Sequence, residues 1–207
     1  MNSGTKKGAK EAIEYIENNL ICKIFEFFKT GQYGVKPGDY MILYTTVQAA
    51  CDEKDLLDDD DLSNSKKMFE YYKQTIESYI IDCKKKLINE GKDNIIDGFL
   101  LHTRNIKFFI FQMQRVFCYL DRFYVKVKKE KSLSETAFDL YKSLFYEEFK
   151  DKIQEEINNL KKEEKNGNEE SNAKIKNVMK IEEDMKLVKP RIVLENHKII
   201  WINEEDI

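Results

Sequence analysis

Apolar residues recur at steps of three and four over most of the chain, so helices are predicted nearly throughout. Over residues 8–29, Ile13, Ile16, Leu20, Ile24 and Phe27 draw one stripe, and Phe28 widens it. Gly31 and Gly34 break the pattern, and Pro37 opens the next helix, with Asp39 in its first turn facing the positive end of the helix dipole. That helix runs to about Cys51. A third stripe, Met68, Tyr71, Tyr72, Ile76, Tyr79, Ile80, Cys83 and Leu87, covers residues 66–89, with Gly91 as its C-terminal cap. Ile95, Ile96, Phe99 and Leu100, then Phe108, Phe109, Met113, Val116, Phe117, Leu120, Phe123, Tyr124 and Val127, extend over 93–128 as one helix, or as two if the run is interrupted near Thr103 to Ile106. Ser132-Leu133-Ser134-Glu135 is a capping box, opening a helix that carries Phe138, Tyr141, Leu144, Phe145, Phe149, Ile153, Ile157 and Leu160. Polar residues 161–171, with Gly167, separate it from a shorter helix bearing Ile175, Val178, Ile181 and Met185. After Pro190 the pattern changes: Ile192-Val193-Leu194 and Ile199-Ile200-Trp201-Ile202 are β-branched and apolar, as in a strand, a packed arm or a piece cut from its context.

Composition agrees with an all-α chain of long helices. With 42% hydrophobic residues the 207 residues can bury a core, and eight glycines and two prolines are too few to punctuate a multi-strand sandwich. Asp58-Asp59-Asp60-Asp61 makes residues 52–65 an acidic loop that lacks the Asp-x-Asp-x-Asp-Gly spacing of a calcium site. Thirty-five basic and 38 acidic residues are interspersed, so no basic field invites nucleic acid. No apolar run approaches the roughly 20 residues that span a bilayer, and no signal peptide precedes the first helix. A soluble chain of the cytoplasm and/or nucleus is expected.

Catalysis and metal binding find little support. Cys22, Cys51, Cys83 and Cys118 lie about thirty residues apart on apolar patterns and read as small core residues in a reducing compartment. His102 and His197 have no cysteine or second histidine at ligand spacing, and no nucleophile and base are paired locally. Phosphate-binding glycine motifs are absent, and no metal or cofactor is expected. Lys126, Lys128, Lys129 and Lys131 sit at a helix end, where cations relieve exposed carbonyls.

Two aromatic segments stand out. In the Pro37 helix, Tyr40, Leu43, Tyr44 and Val47 can form one buried stripe, which turns Met41 and Ile42 outward near its start. Exposed Met and Tyr are common anchors for docking in a groove.

These segments carry a resemblance. Tyr40-Met41-x-Leu43-Tyr44-Thr45-x-Val47 followed by Cys51 resembles the second helix of the first cullin repeat. Tyr72-Lys73 through Tyr79, then Gly91-Lys92-Asp93, is similar to the next long helix and its turn. Cys118-Tyr119-Leu120-Asp121-Arg122-x-Tyr124-Val125 matches the family's Tyr-Leu-(Asp or Asn)-Arg-x-(Tyr or Trp)-Val pattern, the most specific motif present. Ile153 to Leu160 with Lys161 to Asn168 looks like the join into the second repeat. The likeness covers about residues 10–185.

The resemblance implies a non-catalytic scaffold of a cullin-RING ubiquitin ligase, with about five helices per repeat. Its second and fifth helices would bind a Skp-type or BTB adaptor that carries the substrate receptor. By that correspondence Tyr40, Met41 and Tyr44, with Tyr119, Arg122, Phe123 and Lys126, form the docking set. A third aromatic, found in many relatives one turn after Tyr44, is Gln48 here. A RING subunit would bind only a C-terminal region beyond this chain; neither nucleic acid nor membrane is an expected partner. The implied organisation is a disordered N-terminus (1–9), a first repeat (10–165), the start of a second (166–187) and a tail of unassigned structure (188–207). A generic helical-repeat interaction module, or a truncated cullin-like protein without a ligase role, is the alternative.

Overall fold

The computed structural model describes residues 8–51, 63–90, 95–163 and 169–206. Six helical rods and a two-stranded hairpin make up these residues, as an all-α reading with a β-like tail predicts. Helix α1 covers residues 9–30, α2 is Pro37–Ala50, α3 is Asn64–Glu90, α4 covers 95–128, α5 covers 133–163 and α6 is Glu169–Asp184. The strands are β1, Pro190–Glu195, and β2, Lys198–Asn203. The described residues fall into two compact units, the first from 8–75 and 111–133, the second from 76–110 and 134–206.

In the first unit, Ile16, Leu20 and Ile24 of α1, Leu43 and Val47 of α2, Met68 and Tyr72 of α3 and Met113, Val116, Phe117 and Leu120 of α4 are buried. Ring pairs tie α3 to α4, with centroids 5.5 Å apart for Tyr72 and Phe117 and 5.4 Å for Phe69 and Tyr124. Helix α1 ends at Gly31, whose left-handed backbone (φ 74°) lets its N–H reach the Phe27 carbonyl at 2.8 Å. A five-residue π-turn, Glu17–Ile21, interrupts α1 and shifts its register. Ile21 is buried and Cys22 exposed, which corrects the reading of Cys22 as a core residue; Cys51 and Cys83 are buried as expected. Most of the expected acidic loop lies outside the described residues, as does Gly91. Its last two residues, Asn64 and Ser65, already belong to α3, because the Ser63 hydroxyl caps that helix by accepting the Lys66 N–H at 3.2 Å.

The second unit buries Phe99 and Phe109 of α4 with Tyr141, Phe145, Phe149, Ile153 and Ile157 of α5. The interruption considered near Thr103 is absent, and Ile95–Leu120 is one unbroken helix. Its polar residues are buried with partners instead: His102 Nε2 lies 3.2 Å from Glu90, the Thr103 and Tyr141 hydroxyls are 3.1 Å apart, and Lys107 Nζ is 2.6 Å from Asp184. The tail is a pair of strands packed on α5, in line with the strand and packed-arm readings. Strands β1 and β2 pair antiparallel with Ile192 opposite Trp201, and the Trp201 ring meets Phe138 edge-on at 5.1 Å. The turn residues Asn196 and His197 both have positive φ, 48° and 63°, the hand that matches a two-residue hairpin to the twist of its strands.

Candidate docking face

Pro37 is pre-set for the first turn of α2, and Asp39 stabilises that turn by accepting the Lys36 N–H at 3.0 Å. That backbone hydrogen bond, helped by Lys23 at 3.5 Å, holds the Asp39 carboxyl below its ordinary range. One residue on, Tyr40 points inward. Its hydroxyl accepts from Tyr33 and donates to Gln112 Oε1 of α4, and burial pushes its pKa up. The Arg115 guanidinium stacks on the same ring, 3.6 Å from its centroid, while its Nη1 reaches Gln112 Oε1 at 3.4 Å.

One helical turn further along both helices, the Tyr44 and Tyr119 rings meet edge to face, with centroids 6.4 Å apart and planes at 71°. Because Tyr40 to Tyr44 on α2 advances with Gln112 and Arg115 to Tyr119 on α4, the two helices run in the same direction along this seam. Tyr119 also packs on Phe123, 4.5 Å between centroids.

The residues expected at the docking face therefore separate into two sets. Met41 is 67% exposed, and Arg122, Phe123 and Lys126 are also exposed, while Tyr44 is half-buried. Tyr40 and Tyr119, at 9% and 5%, lie inside, beneath the exposed members of the set. Ile42, 52% exposed, and Val127 are further exposed apolar side chains on α2 and α4 outside the expected set. Arg115, also outside the expected set, lies four and seven residues before Tyr119 and Arg122, on the same helix side.

A second π-turn, Asp121–Val125, carries the most specific motif. Its extra residue lets Tyr124 and Val125 both face inward, while Arg122, Phe123, Lys126 and Val127 remain outside. The Asp121 carboxylate leaves the surface to accept the Leu133 N–H at 2.7 Å, and Leu133 in turn accepts the Tyr72 hydroxyl at 3.0 Å. Met41 and Ile42 on α2 and Phe123 on α4 are thus exposed apolar side chains, and Arg122 and Lys126 are exposed cations on α4.

The residues considered for chemistry are placed differently. His102 is buried against Phe145 and paired with Glu90. Burial raises the pKa of the half-buried Cys118 thiol, which donates to the Arg115 carbonyl at 3.5 Å, so the environment disfavours the thiolate. Among the described residues no group of three or more His, Cys, Asp or Glu could hold a metal ion, and no helix is long and apolar enough to cross a membrane.

Residues 17–195 match the family model described as the cullin alpha solenoid domain. Over 144 residues the chain is 29% identical to Cullin-1 of Oryza sativa subsp. japonica, a match covering 69% of this chain and 19% of that protein. The chain thus spans about a fifth of the length of this curated relative. No solved structure matches.

Proposed function

Since the chain belongs to the cullin family, we propose that it is a non-catalytic scaffold segment that docks a Skp-type or BTB adaptor through the exposed face of α2 and α4. The observation supporting this reading is that Met41 and Ile42 stand exposed on α2, while the helix beneath them is fixed to α4 through the Tyr44 and Tyr119 rings. Apolar side chains on a rigid support lose little entropy on binding, which favours their use as anchors. Arg122 and Lys126 at the edge suit a partner with carboxylates around an apolar pocket. Ubiquitin transfer and RING recruitment would belong to other parts of the assembly, in the cytoplasm and/or nucleus.

The test is affinity for purified Skp-type and BTB adaptors, measured with the unaltered chain and with Met41→Ala/Ile42→Ala. Truncating desolvated anchors costs on the order of 2 kcal/mol each, so the variant should bind far more weakly while melting as before. Unchanged affinity in the folded variant would reject this face. Capture of partners of neither adaptor type would favour a generic interaction module.

A further inference from the structure

The exposed side of α4 carries a charge arrangement unlike that of the whole chain. Between residues 111 and 128 there are four basic residues, Arg115, Arg122, Lys126 and Lys128, against one acidic residue, Asp121, although acidic residues slightly outnumber basic ones overall. The carboxylates nearest in sequence to the docking residues are already engaged, Asp121 with the Leu133 N–H and Asp39 with the Lys36 N–H and Lys23.

Arg115 differs from its neighbours in how it is held. Its guanidinium lies 3.6 Å from the Tyr40 ring centroid and 5.9 Å from that of Phe111. The Tyr40 ring is itself fixed, because its hydroxyl is bound to Tyr33 and Gln112. Stacking occupies the face of a guanidinium and leaves its N–H edge available; among the described residues only Gln112 receives a hydrogen bond from it, at 3.4 Å. The residue is nonetheless exposed. An exposed, oriented guanidinium edge is suited to a planar carboxylate, which it can meet with paired hydrogen bonds at reduced entropic cost.

We infer that Arg115 is a carboxylate-binding anchor, so that the docked partner is a folded protein carrying an Asp or Glu side chain at the border of the apolar patch that covers Met41 and Phe123. This rests on the docking role proposed above and adds the chemistry of the partner. Specificity follows: an adaptor with an apolar or basic residue at that border leaves the guanidinium unpaired and binds less well.

The experiment measures affinity for one purified Skp-type and one purified BTB adaptor, at low and at high salt, using the full 207-residue chain. Arg115→Met keeps a long apolar stem over Tyr40 without charge, Arg115→Lys keeps charge without the planar fork, and Met41→Ala/Ile42→Ala reports on the apolar docking reading. The expected result is that Arg115→Met weakens binding of at least one adaptor by about tenfold and flattens its salt dependence, with Arg115→Lys in between. A thermal melt of each variant separates this from loss of the Tyr40 support. If Arg115→Met binds both adaptors as before while Met41→Ala/Ile42→Ala does not, the anchor is refuted and the docking face stands. If neither variant changes the affinity, both fail. Weakened binding that accompanies a collapsed melt in Arg115→Met, but not in Arg115→Glu, would also overturn the anchor if the folded Arg115→Glu chain kept full affinity.

Discussion

Tyr44 and Tyr119 meet edge to face across α2 and α4, 6.4 Å between ring centroids, and Tyr119 also contacts Phe123 at 4.5 Å. Tyr119 is thus the buried joint between a half-buried ring and an exposed one. Truncating it to alanine removes both ring contacts and leaves a void, which costs about 3 kcal/mol or more. A lower midpoint in urea unfolding is expected for Tyr119→Ala, whereas the exposed Met41→Ala should stay within about 0.5 kcal/mol of the unaltered chain. Equal midpoints for the two variants would contradict the assignment of Tyr119 as support and Met41 as contact.

Lys107 and Asp184 form an ion pair at 2.6 Å in the second unit, with both residues buried. Beside it, Lys142 Nζ donates to the Met185 carbonyl at 2.9 Å, so the end of α6 is held twice. Removing one charge strands the other away from water, and Lys107→Met should destabilise by about 3–5 kcal/mol. Replacing both, as Lys107→Met/Asp184→Leu, should recover most of that loss. Calorimetric unfolding of the three chains measures this; equal loss in the single and double variants would show that the pair is not what the site needs.

Much of the helical architecture could be read in advance, because stripes such as Ile16, Leu20 and Ile24 follow the helical period and do lie buried. The π-turns could not, since one extra residue leaves the local composition helical and alters only which side chain faces in, as Ile21 and Cys22 show. The run Thr103 to Ile106 suggested a break because polar groups there and at the preceding His102 find partners only in the folded unit, at Tyr141 and Glu90. For the docking face, the outward turn of Met41 was legible from the stripe beside it. Tyr40 fell on that buried stripe, yet the resemblance groups it and Tyr119 with the contacting residues, because a tyrosine serves equally as a packed ring with a bonded hydroxyl or as a surface anchor.

The hairpin escaped firm assignment because its turn is Asn196-His197 and not a glycine pair. Asparagine tolerates positive φ, but His197 at φ 63° bears the cost of a Cβ in the left-handed region. His197→Gly should therefore stabilise the second unit by about 1 kcal/mol, despite the greater freedom of glycine in the unfolded chain. A raised melting temperature checks it, and a lowered one would mean that the histidine ring makes a compensating contact.

Cys83 gives the chain an alkaline sensitivity of calculable sign. Burial, the largest cause, pushes its thiol up to about 11 from an ordinary 9.0. The folded chain therefore holds this proton more tightly than the unfolded chain does, and the resulting stability is fully present below pH 9 and lost as pH rises towards 11. The loss over that window is on the order of 2 kcal/mol for this group. Burial also raises Tyr79 and Tyr141, whose contributions set in at still higher pH because an ordinary tyrosine titrates near 10.0. Urea midpoints across pH 8 to 10 (about the thiol range) should fall for the unaltered chain and fall less steeply for Cys83→Ala, which has no thiol to ionise. Parallel slopes for the two chains would place the alkaline sensitivity elsewhere.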